Sequence, residues 1–172
     1  MKIIDYNGVP LHLVPHEPDN GYRFYVSNDG TLGLRVAPNG TETLLNATPT
    51  TCVNSSNKTD ANRVQRYLQF KHPWITDKHI LVSHAVYIAW SGKPIPSGHQ
   101  IHHLNGIVTD NHIENLVCLS KPEHRLYDIV QCELRASGRL ATMTPAEILA
   151  ETRSKFLTDP LDLAARDIDK YR

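Results

Sequence analysis

The chain has 172 residues, of which 40% are hydrophobic and 21% charged. That is enough to bury one ordinary core and too apolar for a largely disordered chain. Eighteen basic and eighteen acidic residues give a formal charge of zero, which excludes a protein that coats nucleic acid by bulk charge.

No apolar run approaches the roughly 18 residues of a membrane helix, and Met1-Lys2-Ile3-Ile4-Asp5 lacks the layout of a secretion signal. The expectation is an intracellular, cytoplasmic protein with no membrane partner. Cys52, Cys118 and Cys132 are odd in number and form no C-x-x-C pair, as expected in a reducing compartment. The count out of line is histidine, with ten copies, eight of them between residues 58 and 139. That segment also holds ten basic against seven acidic residues, so the neutral total hides a mildly basic middle. Imidazoles titrate near neutral pH and bind metals, so chemistry is expected there.

In chain order, Tyr22–Val26 and Thr31–Val36 read as strands about an Asn28-Asp29-Gly30 turn. Residues 46–62, rich in Asn, Thr and Ser, read as a loop. Arg63–Phe70 alternates as a strand, with Arg63, Arg66 and Lys71 as candidate nucleic-acid contacts; a solvated strand face is the plainer explanation. His84–Trp90 has helical spacing and stops at Ser91-Gly92, with His84 expected to pack inward. A strand ending in His102-His103 follows, then the Asn105-Gly106 turn and a strand over Leu116–Leu119. A helix over 121–137 opens on a capping box of Ser120 and Glu123, and another is expected over 145–157. The tail from Pro160 reads as a last short helix.

Adjacent strand residues face opposite ways, so His102 and His103 cannot both bind one metal in a regular strand. Labour is then divided: one imidazole could join His124 on a metal, and the other could face a substrate as general base. Asp128, four residues after His124, lies on the same helical face and could orient it, although a surface carboxylate is the simpler reading. His99 and His112 read as surface or substrate-side residues.

The segments His102-His103-Leu104-Asn105-Gly106, Asp110-Asn111-His112-Ile113-Glu114-Asn115-Leu116 and the later His124 resemble the HNH endonuclease family over roughly residues 80–127. The resemblance implies an α+β fold: a ββα-metal core at residues 76–137, a β-rich DNA-contacting region at 1–75 and a C-terminal helical tail at 138–172. It implies His103 as the general base, Asn115 as the residue that orients it and steadies the loop, and His102 with His124 as metal ligands. Asn105, Gly106 and Asn111 take structural turn positions, and Arg125 joins the DNA-contacting set. One divalent ion is implied, Mg²⁺ first, with Mn²⁺, Zn²⁺ or Ni²⁺ as alternatives. Many members carry Asp where this chain has Asn105, so a supporting carboxylate is missing at that position.

Val26-Ser27-Asn28-Asp29-Gly30 is similar to a short signature that precedes HNH nucleases in phage-type homing enzymes; a plain hairpin turn explains the same residues. The function expected is metal-dependent hydrolysis of DNA, by nicking or double-strand cleavage, in a phage or bacterial setting. The alternative is a non-catalytic DNA-binding or structural-metal module on the same scaffold. The sequence carries no signal for oligomeric state.

Overall fold

The computed structural model describes residues 3–17, 19–52, 65–75 and 78–158. The N-terminal part is a five-stranded antiparallel meander of β1 (Ile3–Tyr6), β2 (Val9–Val14), β3 (Arg23–Val26), β4 (Gly33–Val36) and β5 (Glu42–Leu45), paired in sequence order. Asn7 and Gly8, both at positive φ, make the two-residue loop between the first strands, the backbone such hairpins require. Strand alternation then sorts the side chains. Val14, Phe24 and Val26 face one core, while Leu11, Tyr25 and Leu34 make a small cluster on the opposite face.

A second sheet holds β6 (Thr48–Cys52), β7 (Gln65–Lys71) and β8 (His79–Leu81). The expectation of a loop from residue 46 is corrected here. Thr48-Pro49-Thr50-Thr51-Cys52 is a strand, paired antiparallel with β7 from Thr48↔Gln69 to Cys52↔Gln65. Threonine is polar, which reads as loop, but β-branched, which suits a pleated edge. On β7, Phe70 is fully buried in the core, with Leu68 packed against it, while Tyr67 lines an open cleft. Arg63 lies outside the described residues, as do the Arg66 side chain and the tail from Pro160. Lys71 ends β7, exposed to solvent.

Helix α1 (Val82–Ser91) follows β8 without a break and ends on Gly92, whose φ of 68° and N–H bond to Ile88 O form a left-handed cap. One face of α1 (Val82, Ala85, Val86 and Ala89) completes the core that Phe24, Val26, Phe70 and Trp74 began. Trp90 donates its indole N–H to Val26 O at 3.1 Å and stacks on His12, tying α1 to the first sheet.

The hairpin of β9 (His99–His103) and β10 (Leu116–Ser120) leads directly into α2 (Lys121–Ala136). The capping box is formed: Ser120 accepts from Glu123 N, and Glu123 accepts from Ser120 N at 2.8 Å. Helix α3 (Pro145–Thr158) packs on α2, with Ile148 joining Leu119, Leu126, Tyr127 and Leu134 in a second core. The fold is α+β. Among the described residues no helix is long and apolar enough to cross a membrane.

Candidate active site

The β9–β10 register fixes what the site can be. His103 pairs with Leu116 and His102 with Val117, neighbouring register positions whose imidazoles both line one cleft. Each finds a separate set of partners.

His103 is buried, with 5% exposure, and its Nε2 lies 3.1 Å from Asn111 Oδ1. Asn111 donates its own Nδ2 to Thr109 O, so Oδ1 is the acceptor and His103 Nε2 carries the proton. That tautomer leaves the lone pair on Nδ1, and His103 lines a cleft of about 510 Å³ with Tyr67, Ser83, His84, His102 and His124. Burial lowers the His103 pKa below the usual imidazole range, partly offset by the Asn111 bond and the nearby Asp110 carboxylate. Near pH 7 the ring is neutral, the form a general base needs.

The asparagine on His103 is therefore Asn111. Asn115, expected both to orient the base and to steady the loop, makes its side-chain bonds within the loop. Its Oδ1 accepts from Asn105 N at 2.9 Å, and its Nδ2 donates to Asp110 O and Asn105 Oδ1. The Ile113–Asn115 segment forms a single 3-10 turn, which aims Asn115 across the loop mouth rather than at the strand. Asn105 in turn donates to Asp110 Oδ2 at 2.7 Å, so a carboxylate sits beside the turn even though residue 105 is not one. Gly106 takes a φ of 74° and donates its N–H to His103 O, closing the turn directly after the base.

In the same cleft, His102 Nδ1 and His124 Nε2 approach to 3.0 Å with their rings at 85°. His124 reaches this position because the capping box starts α2 immediately after β10, placing the first helical turn over the strand. Asp128 Oδ2 stands 3.5 Å from His124 Nδ1, the orienting contact its spacing suggested. Burial, and then the neighbouring His124, take the His102 pKa down to about 4, so this ring too is neutral near pH 7. Its Nε2 is buried without a hydrogen-bond partner.

These donors suit a divalent ion. Two neutral imidazole nitrogens about 3 Å apart match neighbouring ligands that each lie about 2.1 Å from one metal. Among the described residues no group of three or more His, Cys, Asp or Glu converges in this way, so water and substrate oxygens would complete the shell. Imidazole donors favour Mn²⁺, Zn²⁺ or Ni²⁺ over Mg²⁺, which qualifies the first expectation.

His84, expected in the core, instead lines the cleft from α1, half-buried and with its pKa lowered by burial and by the nearby His103. Helical periodicity found the inward face of α1 without showing that His84 turns to the cleft. Tyr67, whose ring centroid is 6.4 Å from that of His103, lies in a segment with no motif to flag it. Arg125 is exposed in the first turn of α2, next to His124.

Residues 81–126, about a quarter of the chain, match the family model for HNH endonucleases. That segment is an HNH domain. No curated protein and no solved structure matches the chain. The matched residues run from the end of β8 to the first turn of α2, and they include the histidines at 102, 103 and 124.

The HNH histidines make folding sensitive to acid. His84, His102 and His103 all have folded pKa values below the unfolded value near 6.5. The unfolded chain thus takes up protons that the native state refuses. Stability is complete above about pH 6.5 and is lost as pH falls toward 4. For His102 alone the loss by pH 4 is on the order of 2 kcal/mol, after allowance for residual solvent around the ring. Urea unfolding of metal-free protein between pH 7 and 4.5 should show this decline, and a flat profile would contradict it.

Proposed function

We propose that the protein is a metal-dependent endonuclease that hydrolyses DNA phosphodiester bonds, with His103 as general base and His102 and His124 holding one divalent ion. The observation that carries this reading is the contact of His103 Nε2 with Asn111 Oδ1 in a cleft shared with His102 and His124. With Nε2 committed to Asn111, the lone pair falls on Nδ1 of a histidine that lines a cleft within an HNH domain.

In the hydrolysis, His103 Nδ1 takes a proton from water as its oxygen attacks the phosphorus in line. The bond to the 3′ oxygen breaks, leaving 5′-phosphate and 3′-hydroxyl ends. The ion, when bound, supplies Lewis-acid stabilisation of charge on the phosphate and the leaving oxygen. Asn111 keeps the base in the productive tautomer, while Asn115 and Asn105 hold the loop that carries Asn111. Near the substrate, the positive N-terminus of α2 favours a phosphate, with exposed Arg125 and Lys121 on its first turn. Arg63, Arg66 and Lys71 are further proposed DNA contacts, of which Lys71 is exposed at the end of β7. In this reading residues 76–137 are the nuclease unit, 1–75 the DNA-contacting region and 138–172 a helical tail. The setting is the cytoplasm of a bacterium or a phage-infected cell.

Incubation of purified protein with supercoiled plasmid and Mg²⁺ or Mn²⁺ should convert it to nicked or linear DNA, and chelator should stop the conversion. Absence of cleavage with every divalent ion tried would sink the reading. His124→Ala should weaken Mn²⁺ binding by at least about tenfold in calorimetry, since even outer-shell changes at metal sites cost about 10–100-fold. Unchanged affinity would remove His124 from the ligand set. A tightly held zinc whose removal unfolds an inactive protein would favour the structural-metal module instead.

A further inference from the structure

The Ser27–Gly30 turn of the first sheet lies against the catalytic loop. Asn28 O accepts from Ile113 N at 2.8 Å, and Asn28 Nδ2 lies 3.2 Å from His112 Nε2. A Cβ added at Gly30 would lie 3.4 Å from Asn111 Cβ, so the glycine sits beside that residue. Three consecutive loop residues, 111 to 113, thus meet one turn more than 80 residues away in sequence. The first of them holds the Nε2 proton of His103.

The turn is built to be stiff. Ser27, 1% exposed, donates Oγ to Asp29 Oδ1 at 2.6 Å and accepts from Leu32 N. Asp29 also accepts from Thr31 N and its hydroxyl, while Gly30 N closes back on Ser27 O. Gly30 takes a φ of 70° beneath Val82 and Val86 of α1. Every residue from Val26 to Gly30 is therefore committed to the core, to the turn or to the loop.

We propose that Asn28 is a positioning residue: the Ser27–Gly30 turn fixes the 111–113 loop, and through Asn111 it fixes the tautomer and orientation of His103. The proposal rests on the reading of His103 as the general base, but its structural half can be measured without cleavage. Asn28 acts through Asn111 and touches no reacting atom. Removing its amide frees His112, lets the loop shift at its start and loosens the Asn111 bond to His103 Nε2.

The test uses the full chain with Asn28→Ala, His112→Ala on the other side of the same contact, and Asn28→Asp. In long-range ¹⁵N–¹H NMR of DNA-free, metal-free protein, His103 of the unaltered chain should show a single Nε2–H tautomer. Both alanine variants should show a mixture, while far-UV circular dichroism stays the same. Asn28→Asp, whose carboxylate can accept from a His112 Nε2–H, should restore the single tautomer. In plasmid cleavage the alanine variants should lower kcat about tenfold with KM unchanged.

An unaltered His103 signature in a folded Asn28→Ala or His112→Ala protein would overturn the proposal, whether or not the protein cleaves DNA. If Asn28→Ala fails to fold, His112→Ala carries the same measurement. A tautomer mixture in variants of a chain that never cleaves DNA would support the positioning contact and reject the nuclease reading. The two failures are thereby distinguishable.

Discussion

His103→Ala should abolish most of the cleavage activity while leaving DNA binding intact. A positioned general base contributes about 10²–10⁴-fold, so kcat should fall by roughly 10³-fold. His103 is 5% exposed and bonded to Asn111, so it offers little surface to a DNA backbone. KM and the dissociation constant for uncut DNA in chelator should therefore stay within about threefold, the pattern of an interaction made only in the transition state. Single-turnover cleavage and gel-shift titration measure the two quantities. A variant that binds DNA poorly would make His103 a contact residue instead, and one that still cuts at the original rate would remove it from the chemistry.

Gly30→Ala should destabilise the fold more than any other single methyl added to the first sheet. The new Cβ would collide with Val82 Cγ1 and sit 3.1 Å from Val86 Cγ2, both on α1. Neither valine can swing aside, because both are fully buried in the main core. The left-handed φ of 70° adds about 1–2 kcal/mol for any L side chain. Overpacking adds about 1–3 kcal/mol more. A total of roughly 2–5 kcal/mol is a large share of a typical stability of about 5–15 kcal/mol. For a chain of this size it corresponds to a fall in Tm on the order of 10 °C. Gly40, also at positive φ but with nothing near its missing Cβ, is the control. Gly40→Ala should lose only about 1–2 kcal/mol from the backbone. Equal losses at the two positions would mean that the contact with α1 contributes nothing.

The parts of this structure that were legible in the sequence are those governed by short-range chemistry. The β9–β10 hairpin and α2 follow from strand alternation, an Asn-Gly turn and a capping box, all within about 25 residues. The strand period predicts different partners for His102 and His103, but it does not show that both line one cleft. Asn7-Gly8 was an equally good hairpin signal, and it marks the β1–β2 turn that the reading of the N-terminal third left undivided.

What escaped depends on where the chain returns. Asn111 and Asn115 are both plausible partners for a histidine near residue 103. The choice between them is made by the 3-10 turn at Ile113–Asn115, which no periodicity announces. His84 was expected to pack inward, yet the core face of α1 is Val82, Ala85, Val86 and Ala89, and His84 turns to the cleft that His103 also lines. The bond from Asn28 to His112 spans 84 residues, and one sequence contains nothing that joins its ends.

The main core has a practical consequence for anyone wishing to transplant the nuclease. Phe24, Phe70 and Trp74 precede the matched segment, whereas Val82, Ala85, Val86 and Leu116 belong to it, and all seven close on one another. A cassette cut out at residue 76 and fused to a foreign DNA-binding protein would carry His102, His103 and His124 with much of the packing beneath them missing. The valine face of α1 would be bare to water, and such a fragment is more prone to aggregate than to work. A graft that keeps this core has to include the chain from β2 onward.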